Sequence, residues 1–294
     1  MSDDAFEYII PLPDEKLERE ARRLIGFDER YATIKADLRL LADLPAVEAW
    51  ARKTYHALPP IFEVIGDRYP LFILEGDVGT GKTAFARCAA SRLTKELQRD
   101  GNLFALSTRV RGKGAVGEAS SGINAAFARV STDLGKTKVV FLLIDEADSL
   151  VTSRAATHSH LEDKIAVNTI IQKVDDLRRH AGRFVVFLST NRIDTLDAGV
   201  LRRAAAIETF ERPNAQQRKD LLVQDLNGLG LENATIEQLA EMTGPHNDSP
   251  GFSFSDLRTR LLPRIVIAAY PERRITDADA IAAAAGLKPS PVVA

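Results

Sequence analysis

The sequence predicts an α/β fold: a parallel sheet sandwiched by helices, plus a small C-terminal helical lid. Three observations carry this. Short apolar runs alternate with helical stretches between residues 71 and 210. The first run ends in a glycine-rich loop that leads straight into a helix. Beyond Pro213 the apolar runs stop, and every patterned stretch has helical spacing.

The 294 residues, 45% hydrophobic and 27% charged, suit one large or two smaller domains. A net charge of −2 and a pI near 6.3 argue against whole-protein affinity for nucleic acid, and no direct nucleic-acid partner is expected. Cys88 is the only cysteine, so no internal disulfide can form, and a reducing cytoplasm fits. The start, MSDDAFEYII, lacks a signal peptide's basic end and apolar run, and the longest apolar run, VVFLLI, is too short to span a bilayer. A cytoplasmic protein without a membrane partner is the expectation.

Residues 1–13 read as a loose arm whose apolar cluster, Phe6, Tyr8, Ile9 and Ile10, docks on something. Residues 14–25 read as a charged helix stopped by Gly26. Residues 28–44 form an amphipathic helix with Ile34, Leu38 and Leu41 on one face, and shorter helices cover 45–57 and 61–65. The first strand begins at Leu71, and the helix after its loop runs to residue 97. Further strands are predicted at 102–107, 138–144, 183–189 and 206–210, with helices at 123–130 and 165–179. The 138–144 run is apolar after its first residue, as a strand covered on both faces should be. The remaining helices are 215–226, 236–242, 255–269 and 277–285, and the closing KPSPVVA reads as disordered. The domains expected are an arm and helix at 1–24, a large αβα domain at 25–212 and a helical lid at 213–294.

The glycine loop fills the pattern G-x-x-x-x-G-K-[ST] with Gly76, Gly81, Lys82 and Thr83. Backbone N–H groups of Asp77, Val78, Gly79 and Thr80 can then turn around a phosphate, and the helix that follows aims its positive end at the same anion. Lys82 would reach the β- and γ-phosphates of ATP, and the Thr83 hydroxyl would take Mg²⁺. Asp145 and Glu146 end an apolar strand, and carboxyl ends of parallel strands line the ligand crevice. Asp145 is placed to hold Mg²⁺, and Glu146 to activate the water that attacks the γ-phosphate. Asn191 ends the next apolar strand, where a neutral amide can hold that water. Arg202 and Arg203 follow, and a guanidinium there can reach a neighbouring subunit's nucleotide and offset transition-state charge.

Two further patterns carry less. Gly112, Gly114 and Gly117 spell G-x-G-x-x-G, but the sheet already has its phosphate loop, so a mobile functional loop is the better reading. His158 and His160 lack a matching third metal ligand and read as solvated loop residues.

Taken together, GDVGTGKT, VVFLLIDEADSL, FLSTN and LDAGVLRR resemble an AAA+ ATPase from about residue 25 onward. The longer stretches VVFLLIDEADSLVTSR, KIAVNTIIQKVDDLRRH and FVVFLSTNRIDTLDAGVLRRAAAIETFERP are similar to the pachytene-checkpoint family, also called thyroid receptor interactor thirteen. That resemblance implies a homo-oligomeric ring, a hexamer, that uses ATP to remodel a HORMA-domain protein from its closed to its open state. Bacterial members are associated with CBASS anti-phage systems, beside a HORMA protein and a cyclic-oligonucleotide synthase. It also implies Walker roles for residues 76–83, Asp145 and Glu146, a sensor role for Asn191, and Arg203 as the trans-acting arginine, with Arg202 favoured by other branches. Lys113, Gly114, Ala115 and Val116 fall where the family has its first substrate pore loop.

Three departures stand out. The arginine usual near the last lid helices falls on Ser255, with Arg258 the nearest substitute one turn later; the pore loop lacks an aromatic; and a separate N-terminal substrate-binding domain has no room. Two other readings share the ATPase motifs. A DNA-associated loader or initiator is opposed by the acidic net charge and the lack of an appended helix-turn-helix pattern. A nucleotide-gated scaffold is opposed by Glu146, since a scaffold needs no catalytic carboxylate.

Overall fold

The structure, a computed structural model, describes residues 5–107, 118–135, 138–147, 161–178, 182–246 and 249–292. The chain divides into two compact units. The first comprises Met1–Ala21, Asp28–Glu75 and Thr83–Thr209, and the second Arg22–Phe27, Gly76–Lys82 and Phe210–Ala294.

The first unit is built on a six-stranded sheet of β1 (Phe6–Leu12), β2 (Leu71–Gly76), β3 (Gly101–Leu106), β4 (Val139–Ile144), β5 (Phe184–Thr190) and β6 (Ala204–Phe210), in the order β1-β3-β4-β5-β2-β6. The pairs β3/β4, β4/β5 and β5/β2 are parallel. Every residue of β4 and β5 is buried, which is why these strands read as unbroken apolar runs. One face packs Ile73, Val140, Leu142, Val186 and Leu188 against α6 (Glu118–Asp133) and α7 (Leu161–Leu177). On β2, β5 and β4, Phe72, Phe187 and Phe141 form a row, with the last two rings stacked 6.2 Å apart.

The expected loose arm is instead a strand. β1 pairs antiparallel with β3, from Phe6 opposite Leu106 to Leu12 opposite Gly101, and the Phe6 ring lies 5.0 Å from that of Phe104. Pro11 is tolerated because β1 is the sheet's edge, where a missing N–H breaks no second ladder. The chain then forms α1 (Glu15–Ala21), shorter than the predicted 14–25, followed by α2 (Phe27–Ala42), α3 (Leu44–Tyr55) and α4 (Ile61–Gly66). The loop helix α5 (Lys82–Glu96) carries the fully buried Cys88, whose thiol burial pushes up to about 12, so it is inert packing. The short α8 (Ala198–Leu201) precedes β6 and is capped by the Asp197 carboxylate on Gly199 N–H.

The second unit has its own core of Leu221, Leu222, Leu239, Phe252, Leu257, Leu261, Ile265 and Ala280. These come from α9 (Ala215–Asp225), α10 (Asn233–Met242), α11 (Leu262–Ile267), α12 (Asp277–Ala285) and the segment 252–261 before α11. The predicted helix at 255–269 is not uniform: Asp256–Leu261 is a π-helical turn leading into α11. Pro263 explains this, because it has no N–H to close an ordinary helical turn. The predicted disorder of KPSPVVA is also overturned for Ser290, whose N–H and hydroxyl both donate to Asp256.

Candidate active site

The carboxyl ends of neighbouring strands set the site. β4 pairs with β5 so that Ile144 lies opposite Leu188, and β5 pairs with β2 so that Thr190 lies opposite Glu75. Asp145 and Glu146, Asn191, and the loop after β2 therefore all leave the same edge of the sheet.

In the loop, Gly76 has φ +137°, and a Cβ there would lie 2.1 Å from the Phe210 carbonyl oxygen. Only glycine lets the strand turn that close to β6. Gly81 has φ +97°, and a Cβ there would meet no atom within 4 Å. Open space in front of a glycine at a helix start is what a bound phosphate needs. Lys82 is buried, and its Nζ donates to the carbonyls of Gly76 at 2.8 Å and Asp77 at 2.9 Å. That fixes a positive charge against the loop. The Thr80 hydroxyl donates to the Asp77 carbonyl and closes the turn. Val78 is 46% exposed, so its contribution is its backbone.

Within the first unit, Thr83 Oγ1 donates to Asp145 Oδ2 at 2.7 Å. A hydroxyl and a carboxylate converging on one point fit Mg²⁺, a hard cation that takes few protein oxygens and completes its shell from phosphate and water. Among the described residues no group of three His, Cys, Asp or Glu gathers to offer another metal site. Glu146 is exposed and sits at φ +49°, with its N–H on Asp145 Oδ1 at 3.0 Å. A left-handed backbone costs a non-glycine residue about 1 kcal/mol. Asn191 is half-buried, one residue past β5.

The two arginines separate. Arg203 is held within its own chain: Nε and Nη2 bond Asp175 at 2.5 and 2.9 Å, Nη1 bonds the Gly199 carbonyl at 2.9 Å, and the guanidinium lies 5.3 Å from the Tyr69 ring centroid. The Asp175 hydrogen bond raises its already high pKa. Arg202, one residue earlier, is exposed, and its side chain has no partner among the described residues. Arg258 does not meet the phosphate loop. Its Nε bonds Asp225 at 2.6 Å and its Nη2 the Arg23 carbonyl at 2.7 Å. Lys113, Gly114, Ala115 and Val116, with Gly112, Gly117, His158 and His160, lie outside the described residues.

Sequence reasoning missed Arg212, which bonds Asp77 in the phosphate loop. The available signal was Asp77 itself, since a carboxylate beside a phosphate site demands a nearby cation. It also missed the Ser255 N–H, which donates to the Gly79 carbonyl at 3.1 Å.

The model of the ATPase family associated with various cellular activities (AAA) matches residues 72–212. The CD-NTase-associated protein 6 of Escherichia coli strain KTE188 is 43% identical over 289 residues, spanning 98% of this chain and 97% of that protein. In the solved HORMA:CdnC:Trip13 complex of E. coli MS115-1, a chain 37% identical superposes with a TM-score of 0.92, covering all of this chain and 99% of that one. Rhizobiales Trip13, 34% identical, superposes with a TM-score of 0.72 over 97% of this chain and 99% of its own. Among the described residues no helix is long and apolar enough to cross a membrane.

Proposed function

We propose, from the premise that this chain belongs to the AAA ATPase family and within it to the group of CD-NTase-associated protein 6, that it hydrolyses ATP to remodel a HORMA-domain protein. The observation that carries the catalytic half is the hydrogen bond of 2.7 Å between Thr83 and Asp145, which joins the phosphate loop's hydroxyl to the strand-end carboxylate. The near full-length likeness to a Trip13 chain solved with HORMA and CdnC carries the choice of partner.

The loop amides of residues 77–81 cradle the phosphates, and Lys82 supplies their main countercharge. Thr83 and Asp145 hold Mg²⁺, which when bound draws charge from the phosphate oxygens. Glu146 accepts a proton from the attacking water, and Asn191 orients that water. The subunits work as a ring, a hexamer, in the cytoplasm. Arg202, exposed beside the immobilised Arg203, is the better placed to reach a neighbour's nucleotide. Residues 113–116 grip the substrate, and opening the HORMA protein shuts off a CBASS cyclic-oligonucleotide synthase.

The test is Glu146→Gln with a purified HORMA partner. It should bind ATP with native affinity, lose hydrolysis, and hold the partner in an ATP-dependent complex seen by size-exclusion chromatography. Hydrolysis at the native rate would remove Glu146 from the mechanism. Full hydrolysis control with no HORMA conversion by the native chain would remove the substrate assignment.

A further inference from the structure

Asp77 is an anomaly in its loop. The groups around it are suited to a polyphosphate, yet it brings a carboxylate to the same place. Its Oδ1 accepts the Val78 N–H at 2.7 Å. Its Oδ2 is held by Arg212, at 2.6 Å from Nε and 2.5 Å from Nη2. The two side chains are only 11% and 12% exposed, so water does little to screen the carboxylate if the arginine is lost.

Arg212 lies two residues past the end of β6, and both of its terminal nitrogens reach backbone carbonyls. Nη1 donates to the Gly251 carbonyl at 2.6 Å, and Nη2 to the carbonyls of Ser290 at 2.9 Å and Pro291 at 3.2 Å. The Gly251 stretch also leads to Ser255, whose N–H bonds Gly79 on the loop. One planar guanidinium therefore joins the phosphate loop to two distant segments of the same unit, a task that suits a rigid fork and not an ammonium.

We propose that Arg212 is a positioning residue for nucleotide binding: it neutralises Asp77 and clamps the phosphate loop to the segments at Gly251 and Ser290. Without it, the Asp77 carboxylate keeps its negative charge beside the incoming phosphates with no guanidinium to offset it, and the loop loses its anchor. This supplies the lid-to-phosphate link that Ser255 and Arg258 do not make through their side chains. It rests on the reading of residues 76–83 as the nucleotide site.

The experiment titrates a fluorescent ADP analogue with Mg²⁺ against the full chain and against Arg212→Ala, Asp77→Asn and the double variant. Hydrogen exchange of residues 77–82 is followed in the nucleotide-free proteins. Arg212→Ala should weaken binding roughly tenfold or more, because one partner of a shielded charge pair is gone. Asp77→Asn should tighten binding, since it removes a negative charge and leaves the guanidinium facing the phosphates. The double variant should recover most of the loss, while its loop amides exchange faster than native. Arg212→Lys, which keeps the charge, should bind better than Arg212→Ala but exchange faster than native. A double variant as weak as Arg212→Ala, with a native melting profile, overturns the charge argument. Native exchange in Arg212→Lys overturns the clamp. Lys82→Ala separates the two levels: if it binds as tightly as the native chain, the nucleotide site itself is misplaced.

Discussion

At the scale of single residues, Asp256 shows how far backbone donors reshape a buried acid. It is 1% exposed, and burial alone would raise its pKa. Against that, its carboxylate accepts bonds from the Ser253 N–H and hydroxyl, the Ser290 N–H and hydroxyl, and Arg260 Nη1. Together these hold it down to about 2, from an ordinary 3.8. A depressed folded value means that the charge stabilises the fold fully above the unfolded pKa and is lost as pH falls through the folded one. The stabilisation is therefore intact above about pH 4 and gone near pH 2, and is worth on the order of 2 kcal/mol. Asp256→Asn should lose about that much in urea unfolding at pH 7, with the gap to native narrowing between pH 4 and pH 2. An equal gap at pH 7 and pH 2.5 would show that packing, not charge, is what the residue contributes. Ser290 is also where composition misled: KPSPVVA looks disordered because its side chains promise little, yet the groups that hold it are a backbone N–H, two carbonyls and one hydroxyl.

At the scale of elements, β1 is the instructive case. Its burial alternates irregularly from Phe6 to Leu12, with exposed Glu7 and Pro11, so neither a buried run nor a clean period of two marks it as a strand. Its pairing with β3 is a long-range choice that only the folded sheet reveals. Phe6 is its anchor, 8% exposed and against Phe104. Phe6→Ala should therefore cost about 3 kcal/mol in chemical denaturation. If residues 5–13 were merely a tethered arm, the loss would be a few tenths, and the experiment distinguishes the two. The strands β2 to β5 were legible because both their faces are covered, and that alone writes an apolar run into sequence. The candidate catalytic residues were placed for the same reason: Asp145 and Asn191 follow such runs directly, and the glycine loop follows another. Arg212 was not, because it meets Asp77 across 135 positions of chain and no periodicity encodes that distance.

At the scale of the whole molecule, the question is whether one chain completes its own catalytic set. Lys82, Thr83, Asp145 and Glu146 all belong to the phosphate loop and the strand ends, but none is a cation positioned from outside to offset charge on the leaving phosphates. Arg203 is committed to Asp175, Gly199 and Tyr69 in its own unit. Arg202 is exposed and has no partner among the described residues, so a ring in which it enters the next subunit's site accounts for both arginines. On that reading the two variants fail differently. Arg203→Ala should lower the melting temperature, since it strips a bidentate ion pair and a ring contact from the start of β6. Arg202→Ala should melt like the native chain, bind nucleotide, and hydrolyse ATP slower by a factor of roughly 10³. Lys82→Ala should be inactive because it cannot hold nucleotide. Mixed rings of Arg202→Ala and Lys82→Ala then contain some junctions that pair an intact loop with an intact arginine, and phosphate release should rise well above that of either variant alone. Rings shown by mass spectrometry to be mixed, yet still silent, would mean that Arg202 acts within its own subunit or not at all.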